Sequence, residues 1–121
     1  MVSRTTPGPV IDETGLADAC ELLRALGTPH RLAIVLELAE RSRCVHELVD
    51  VLGISQSLAS QHLRVLRNSG LVTGSRRGKE TVYSLSDEHV ARIARDALTH
   101  GSEPGLRERP VAYPIPEEHQ S

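Results

Sequence analysis

Ser55-Gln56-Ser57-Leu58-Ala59-Ser60-Gln61-His62-Leu63-Arg64-Val65-Leu66-Arg67 is the stretch whose reading decides the fold. At 100° per residue, Ala59, Leu63 and Leu66 fall on one side of a helix, while Gln56, Ser57, Ser60, Gln61 and Arg64 lie mostly on the other. Ser55 supplies an N-cap oxygen, and the helix is expected to reach about Ser69, with Gly70 ending it. Just upstream, Val45, Leu48, Val49 and Leu52 follow the i, i+3, i+4, i+7 spacing of a short amphipathic helix stopped by Gly53. Two helices joined by Gly53-Ile54-Ser55 form a helix-turn-helix.

Working outward, Leu71 to Ser75 and Thr81 to Leu85 read as two strands around the basic turn Arg76-Arg77-Gly78-Lys79. Ser86 or Asp87 then caps a last helix with Val90, Ile93, Ala94, Ala97 and Leu98 on its apolar face, ending near Gly101. On the other side, Leu16, Ala19, Cys20, Leu23 and Leu26 recur at helical spacing before the stop at Gly27, which places Cys20 in the core. Pro29 opens a second helix whose Leu32, Ile34, Val35, Leu36 and Leu38 require burial on more than one side, so it should be central. The expected fold is mainly α with a small β-hairpin, a winged helix-turn-helix in the order α-α-α-α-β-β-α. Residues 1–13, with Pro7, Gly8 and Pro9, read as a mobile N-terminal arm, and the proline-rich residues 104–121 as a mobile C-terminal tail. The domain between them, 14–103, is expected to carry whatever DNA binding and dimerisation such a fold supports.

Composition narrows the function. With 121 residues, 39% hydrophobic and 25% charged, the chain suits one ordinary globular domain and not a large two-domain enzyme. No apolar run approaches the roughly 18 residues of a membrane span, and the N-terminus does not read as a secretory signal, so a cytoplasmic location without a membrane partner is expected. Two cysteines are too few for a disulfide framework. With two tyrosines and neither Phe nor Trp, a stacking platform for single-stranded nucleic acid is excluded. The net charge of -2 looks unfavourable for any nucleic acid, but it is an average. Residues 1–54 carry -3, residues 55–82 carry +4 and residues 83–121 carry -3. The excess positive charge is confined to Arg64, Arg67, Arg76, Arg77 and Lys79 against a single Glu80.

A basic window centred on a helix-turn-helix points to double-stranded DNA. Gln, Ser and Arg hydrogen-bond base edges, and a helix fits the major groove. The candidate DNA contacts are Gln56, Ser57, Ser60, Gln61, Arg64 and Arg67 on the helix, with Arg76, Arg77 and Lys79 of the hairpin on phosphate or in the minor groove. His62 lies nearer the inner edge and reads as a packing histidine, whereas His30 has no partner visible in the sequence.

The last helix carries a second constellation: Asp87, His89, then ten residues, then His100 and Glu103. Eleven residues turn a helix through 1100°, so His89 and His100 share a face, but about 16 Å of rise separates them. That is too far for one helix to chelate a single ion through bonds of roughly 2 Å. Two copies packed antiparallel across a two-fold axis would bring Asp87 and His89 of one beside His100 and Glu103 of the other, which gives two sites per homodimer. Two imidazoles and two carboxylates suit tetrahedral Zn2+, with Co2+ a surrogate; Ni2+ would want further ligands. Four protein ligands leave no open position for catalysis, so neither an enzyme nor a small-molecule substrate is expected.

These residues together resemble the ArsR/SmtB family of winged-helix metal-sensing repressors over roughly residues 16–103. The resemblance is carried by Cys44-Val45-His46-Glu47-Leu48, by Ser60-Gln61-His62-Leu63-Arg64-Val65-Leu66-Arg67, by Gly70-Leu71-Val72 and by the Asp87, His89, His100, Glu103 array. It implies a homodimeric repressor that binds operator DNA and releases it when zinc occupies inter-subunit sites on the last helix, controlling metal homeostasis genes. It also implies a second candidate metal site at the start of the third helix, with Cys44 and its companions His46 and Glu47. A winged-helix repressor that answers a thiol-redox signal through Cys20 or Cys44 is the alternative.

Overall fold

The structure, a computed structural model, describes residues 11–102. Its order is α1 (Glu13–Leu26), α2 (Pro29–Glu40), β1 (Arg43–Cys44), α3 (Val45–Leu52), α4 (Gln56–Asn68), β2 (Val72–Arg77), β3 (Glu80–Leu85) and α5 (Glu88–Gly101). Winged helix-turn-helix topology is therefore present as expected. The inner end of the 1–13 segment belongs to the folded part, because Asp12 caps α1 by accepting the Gly15 N–H at 2.7 Å and Glu13 is already helical; the rest of the arm up to residue 10, and the tail 104–121, lie outside the described residues.

Four of the five described helices begin where the N-cap side-chain oxygen satisfies a backbone donor. Thr28 Oγ1 accepts from Arg31 N at 3.1 Å ahead of Pro29, Ser55 Oγ from Leu58 N at 3.0 Å, and Asp87 Oδ1 from Val90 N at 3.2 Å. Gly53 ends α3 with a φ of 68°, a left-handed conformation open to glycine at little cost. It thereby turns the chain into α4.

The sheet is larger than the sequence suggests. Its order is β1-β3-β2, all antiparallel, with β2 running on to Arg77 and β3 starting at Glu80. The two-residue β1 pairs Arg43 with Tyr83 and Cys44 with Val82. Such a strand is too short to show alternation, so only its tertiary pairing defines it.

The core lies between α2 and the helix-turn-helix. Ile34, Val35 and Leu38 of α2 pack with Leu48, Leu63, Leu66, Leu71, Val72, Val90 and Ala94, which confirms α2 as the central helix. The first helix departs from expectation. Cys20 is exposed rather than buried, and Leu16 and Leu23 are 55% and 56% exposed, so α1 contributes only Ala25 and Leu26 to the core. Its apolar stripe is real, but nothing among the described residues covers it.

Candidate nucleic-acid interface and metal clusters

Helix α4 buries Ala59, Leu63 and Leu66 and exposes Gln56, Ser57, Ser60, Gln61, Arg64 and Arg67. The wing exposes Arg76, Arg77 and Lys79 around a turn that Gly78 enters with a φ of 64°. The candidate DNA contacts thus all stand free on the recognition helix and the wing.

A cleft of about 440 Å³ separates the two elements, lined by Ser60, Leu63, Arg64, Arg67, Asn68 and Tyr83. A side chain at Gly74 would place Cβ 3.2 Å from Arg67 Nη1 and 3.3 Å from Tyr83 Cε1. The absent side chain therefore lets the guanidinium lie against β2. Asn68, Gly74 and Tyr83 belong to this surface and were not among the residues singled out from sequence. The register Gly74↔Tyr83 that groups them is a property of the sheet.

His62 is half-buried, as its inner-edge position suggests, and its ring meets that of His30 edge-on at 5.5 Å. The expectation that His30 lacks a partner is corrected, because α2 and α4 pack side by side.

Polar contacts tie the reading head to the helices behind it. Arg43 Nη2 pairs with Glu37 Oε1 at 2.9 Å, and Arg43 Nε donates to the Glu37 carbonyl at 3.2 Å, anchoring β1 to α2. Arg95 Nη2 of α5 donates to the Ala39 carbonyl at 3.2 Å, where α2 ends.

Of the array on α5, Asp87 and His89 lie together, Oδ1 to Nδ1 3.6 Å, and both are exposed. His100 sits exposed in the last turn of the same helix, and Glu103 lies outside the described residues. Asp87 also holds the cap of α5 through Oδ1.

The second candidate cluster is rearranged. Glu47 is the third residue of α3, and its carboxylate reaches back to accept the Cys44 N–H at 3.0 Å and to pair with Arg41 at 3.4 Å. The accepted backbone N–H, and then the charges of Arg41 and Arg43, hold its carboxyl below the usual carboxylate value. Glu80 takes its place, with its carboxylate 3.7 Å from His46 Nδ1. Among the described residues, Cys44, His46 and Glu80 form a group whose candidate ligand atoms all lie within 4.8 Å of one another. The spacing Cys44…Glu47 is that of a capping box, the signal by which Glu47 could have been set aside.

Comparison with known proteins now decides the family. Residues 28–73 match the family described as bacterial regulatory protein, arsR family. The chain is 50% identical over 100 residues to the HTH-type transcriptional repressor SmtB of Mycobacterium tuberculosis, covering 83% of this chain and 70% of that protein. The chain belongs to the ArsR family. Another relative, the HTH-type transcriptional regulator NmtR of Mycobacterium tuberculosis, is 42% identical over 97 residues, 80% of this chain and 81% of NmtR. In solution, the homodimeric winged helix-turn-helix DNA-binding domain Mb0332 of Mycobacterium bovis superposes with a TM-score of 0.71 at 27% identity, over 83% of this chain and 92% of that one. Membership makes this ArsR-family chain a DNA-binding transcriptional regulator and not an enzyme. No helix among the described residues is long and apolar enough to cross a membrane.

Proposed function

We propose that this ArsR-family chain is a metal-responsive repressor that binds operator DNA as a cytoplasmic homodimer and is released on binding zinc at two inter-subunit sites. Each site would draw Asp87 and His89 from one α5 and His100 and Glu103 from the other. The observation that carries the reading is the condition of α5. Its donors stand exposed, with Asp87 and His89 3.6 Å apart at one end and His100 at the other, on a helix whose Leu98 is 51% exposed. The donor set fits zinc, and the leftover apolar surface of α5 and α1 fits a second copy. The names of the relatives SmtB and NmtR, both regulators, support the class.

When bound, zinc would supply a cross-link between the two α5 helices. The chain's own residues do the rest. Gln56, Ser57, Ser60, Gln61 and Arg64 read the major groove; Arg67, Arg76, Arg77 and Lys79 hold phosphate or the minor groove. Arg95 on Ala39, with Glu37 on Arg43 just before it, joins α5 through the end of α2 to β1 and the wing. A shift of α5 is thereby transmitted to the reading surface. Two zinc ions would add four positive charges to the dimer, which by charge alone would strengthen DNA binding. Release must therefore come from geometry.

The test is operator binding at fixed salt during a zinc titration. Coupling of about 1–3 kcal/mol would weaken the parent roughly 5- to 150-fold, whereas His100→Ala and Glu103→Ala would bind DNA normally and ignore zinc. A parent indifferent to zinc, or variants that respond fully, would refute the reading. Loss of regulation on replacing Cys20 alone would favour a thiol signal instead.

A further inference from the structure

The cleft between the reading helix and the wing collects hydrogen-bond donors and no acid. Ser60, Arg64, Arg67, Asn68 and Tyr83 line it beside Leu63. Among the described residues neither guanidinium is ion-paired, and the Tyr83 hydroxyl has no hydrogen-bond partner. Two arginines without a counter-charge, next to neutral donors, make an opening suited to an anion.

Gly74 is what keeps the cleft open. It lies inside β2 opposite Tyr83, and the left-handed φ values belong to Gly53, Gly70 and Gly78 instead. The glycine therefore answers to space and not to backbone conformation. A Cβ there would stand 3.1 Å from Thr81 Cγ2, 3.2 Å from Arg67 Nη1 and 3.3 Å from Tyr83 Cε1, so the guanidinium and the phenol ring meet over bare backbone. A glycine inside a strand weakens it and marks a close approach of another group. Tyr83 itself sits on the central strand, paired with Arg43 of β1 on its other side, which fixes its backbone from both edges.

We infer that this cleft seats one backbone phosphate of the bound duplex, with Arg67 as its cation and the Tyr83 hydroxyl and Asn68 amide as its hydrogen-bond donors. A phosphodiester offers anionic acceptor oxygens and no donor, which is the complement of this lining. The contact carries no sequence information. Its place at the junction of α4 and the sheet holds both on one stretch of DNA backbone and so sets how the reading helix enters the groove. Charge alone pointed to Arg67; the strand register adds Tyr83 to the DNA contacts and makes Gly74 the condition for both. The inference rests on the DNA-reading surface and not on the zinc reading, and either can fail alone.

Metal-free binding of a random-sequence duplex, read by fluorescence anisotropy, tests it, because a phosphate contact needs no operator. Tyr83→Phe keeps the ring over Gly74 and removes only the hydroxyl. It should weaken binding about three- to tenfold, with the salt dependence unchanged. Arg67→Gln should weaken binding further and lower the slope of log affinity against log salt by about 0.9, the loss of one phosphate contact. Gly74→Val, whose β-branched side chain suits a strand, should match Arg67→Gln, and the two together should lose no more than either alone. Thr73→Val, exposed on the opposite face of β2, should bind like the parent. Circular dichroism checks the folding of each variant, and if Gly74→Val does not fold, Tyr83→Phe still decides. Fluorotyrosine at the chain's two tyrosines gives a second readout by fluorine NMR. The signal that Tyr83→Phe removes should shift with the duplex and stay in place with inorganic phosphate at the same phosphate concentration. Parent-like binding by Tyr83→Phe, additive losses for Arg67 and Gly74, a Tyr83 signal indifferent to the duplex, or one that moves equally with inorganic phosphate would overturn the site.

Discussion

The reading head and the helices α1 and α5 are all built from amphipathic helices, yet they differ in how fully their apolar faces are covered. In the head, α3 and α4 bury Leu48, Leu63 and Leu66 completely or nearly so, and only Val51 and Val65 remain as exposed large apolar residues. On α1 and α5, Leu16, Leu23 and Leu98 are each more than half exposed although they also recur at helical spacing. A hydrophobic stripe thus states that a face needs cover without stating whose. For α4 the cover is α3, β2 and α2 of the same chain. For α1 and the end of α5 the described residues supply none, and a second copy is the occupant that the dimeric reading proposes.

The sharpest way to break this comparison is to truncate one leucine in each region. Leu66→Ala should cost about 2–5 kcal/mol in denaturant unfolding, since a fully buried leucine leaves a cavity that the core cannot fill. A loss below about 1 kcal/mol would mean that the head is looser than its burial implies. Leu23→Ala should instead act on association. Covering a leucine contributes about 1.5–3 kcal/mol, so the dimer dissociation constant should rise about tenfold or more in sedimentation equilibrium, with the secondary structure kept. An unchanged dissociation constant would assign the stripe no role in pairing. The smallest effect sharpens the head alone. Because the folded-state pKa of Glu47 is lowered from 4.5, its contribution is complete above that value and is lost as pH falls through the folded pKa. Melting temperatures of parent and Glu47→Gln should therefore differ at pH 6 and converge on acidification; a constant gap would show that the carboxylate charge is irrelevant.

Much of the site was legible because its chemistry is local. The exposed polar face of α4 and the exposed arginines of the hairpin follow from helical rotation and segment charge alone, as does the placing of the candidate donors Asp87, His89 and His100 along α5. What escaped depends on contacts between elements distant in sequence. Glu80 reads as a lone acid in a basic window until β1 pairs with β3 and carries it to Cys44. Glu47 reads as a neighbour of His46 until helical geometry turns it back onto the Cys44 N–H. Gly74 and Tyr83 matter only through their register opposite one another and under Arg67.

The net charge of -2 therefore conceals a structure that its distribution reveals: a +4 segment carried on an acidic scaffold. By itself the sequence determined the order of the five helices and the hairpin, the central place of α2 and the exposed polar face of α4, because turns, caps and amphipathic period act over a few residues. The tertiary structure alone decided the three-stranded sheet, the exposure of Cys20 and the exchange of Glu47 for Glu80. Each of those depends on which distant backbone or face comes alongside, and local periodicity carries no information about that.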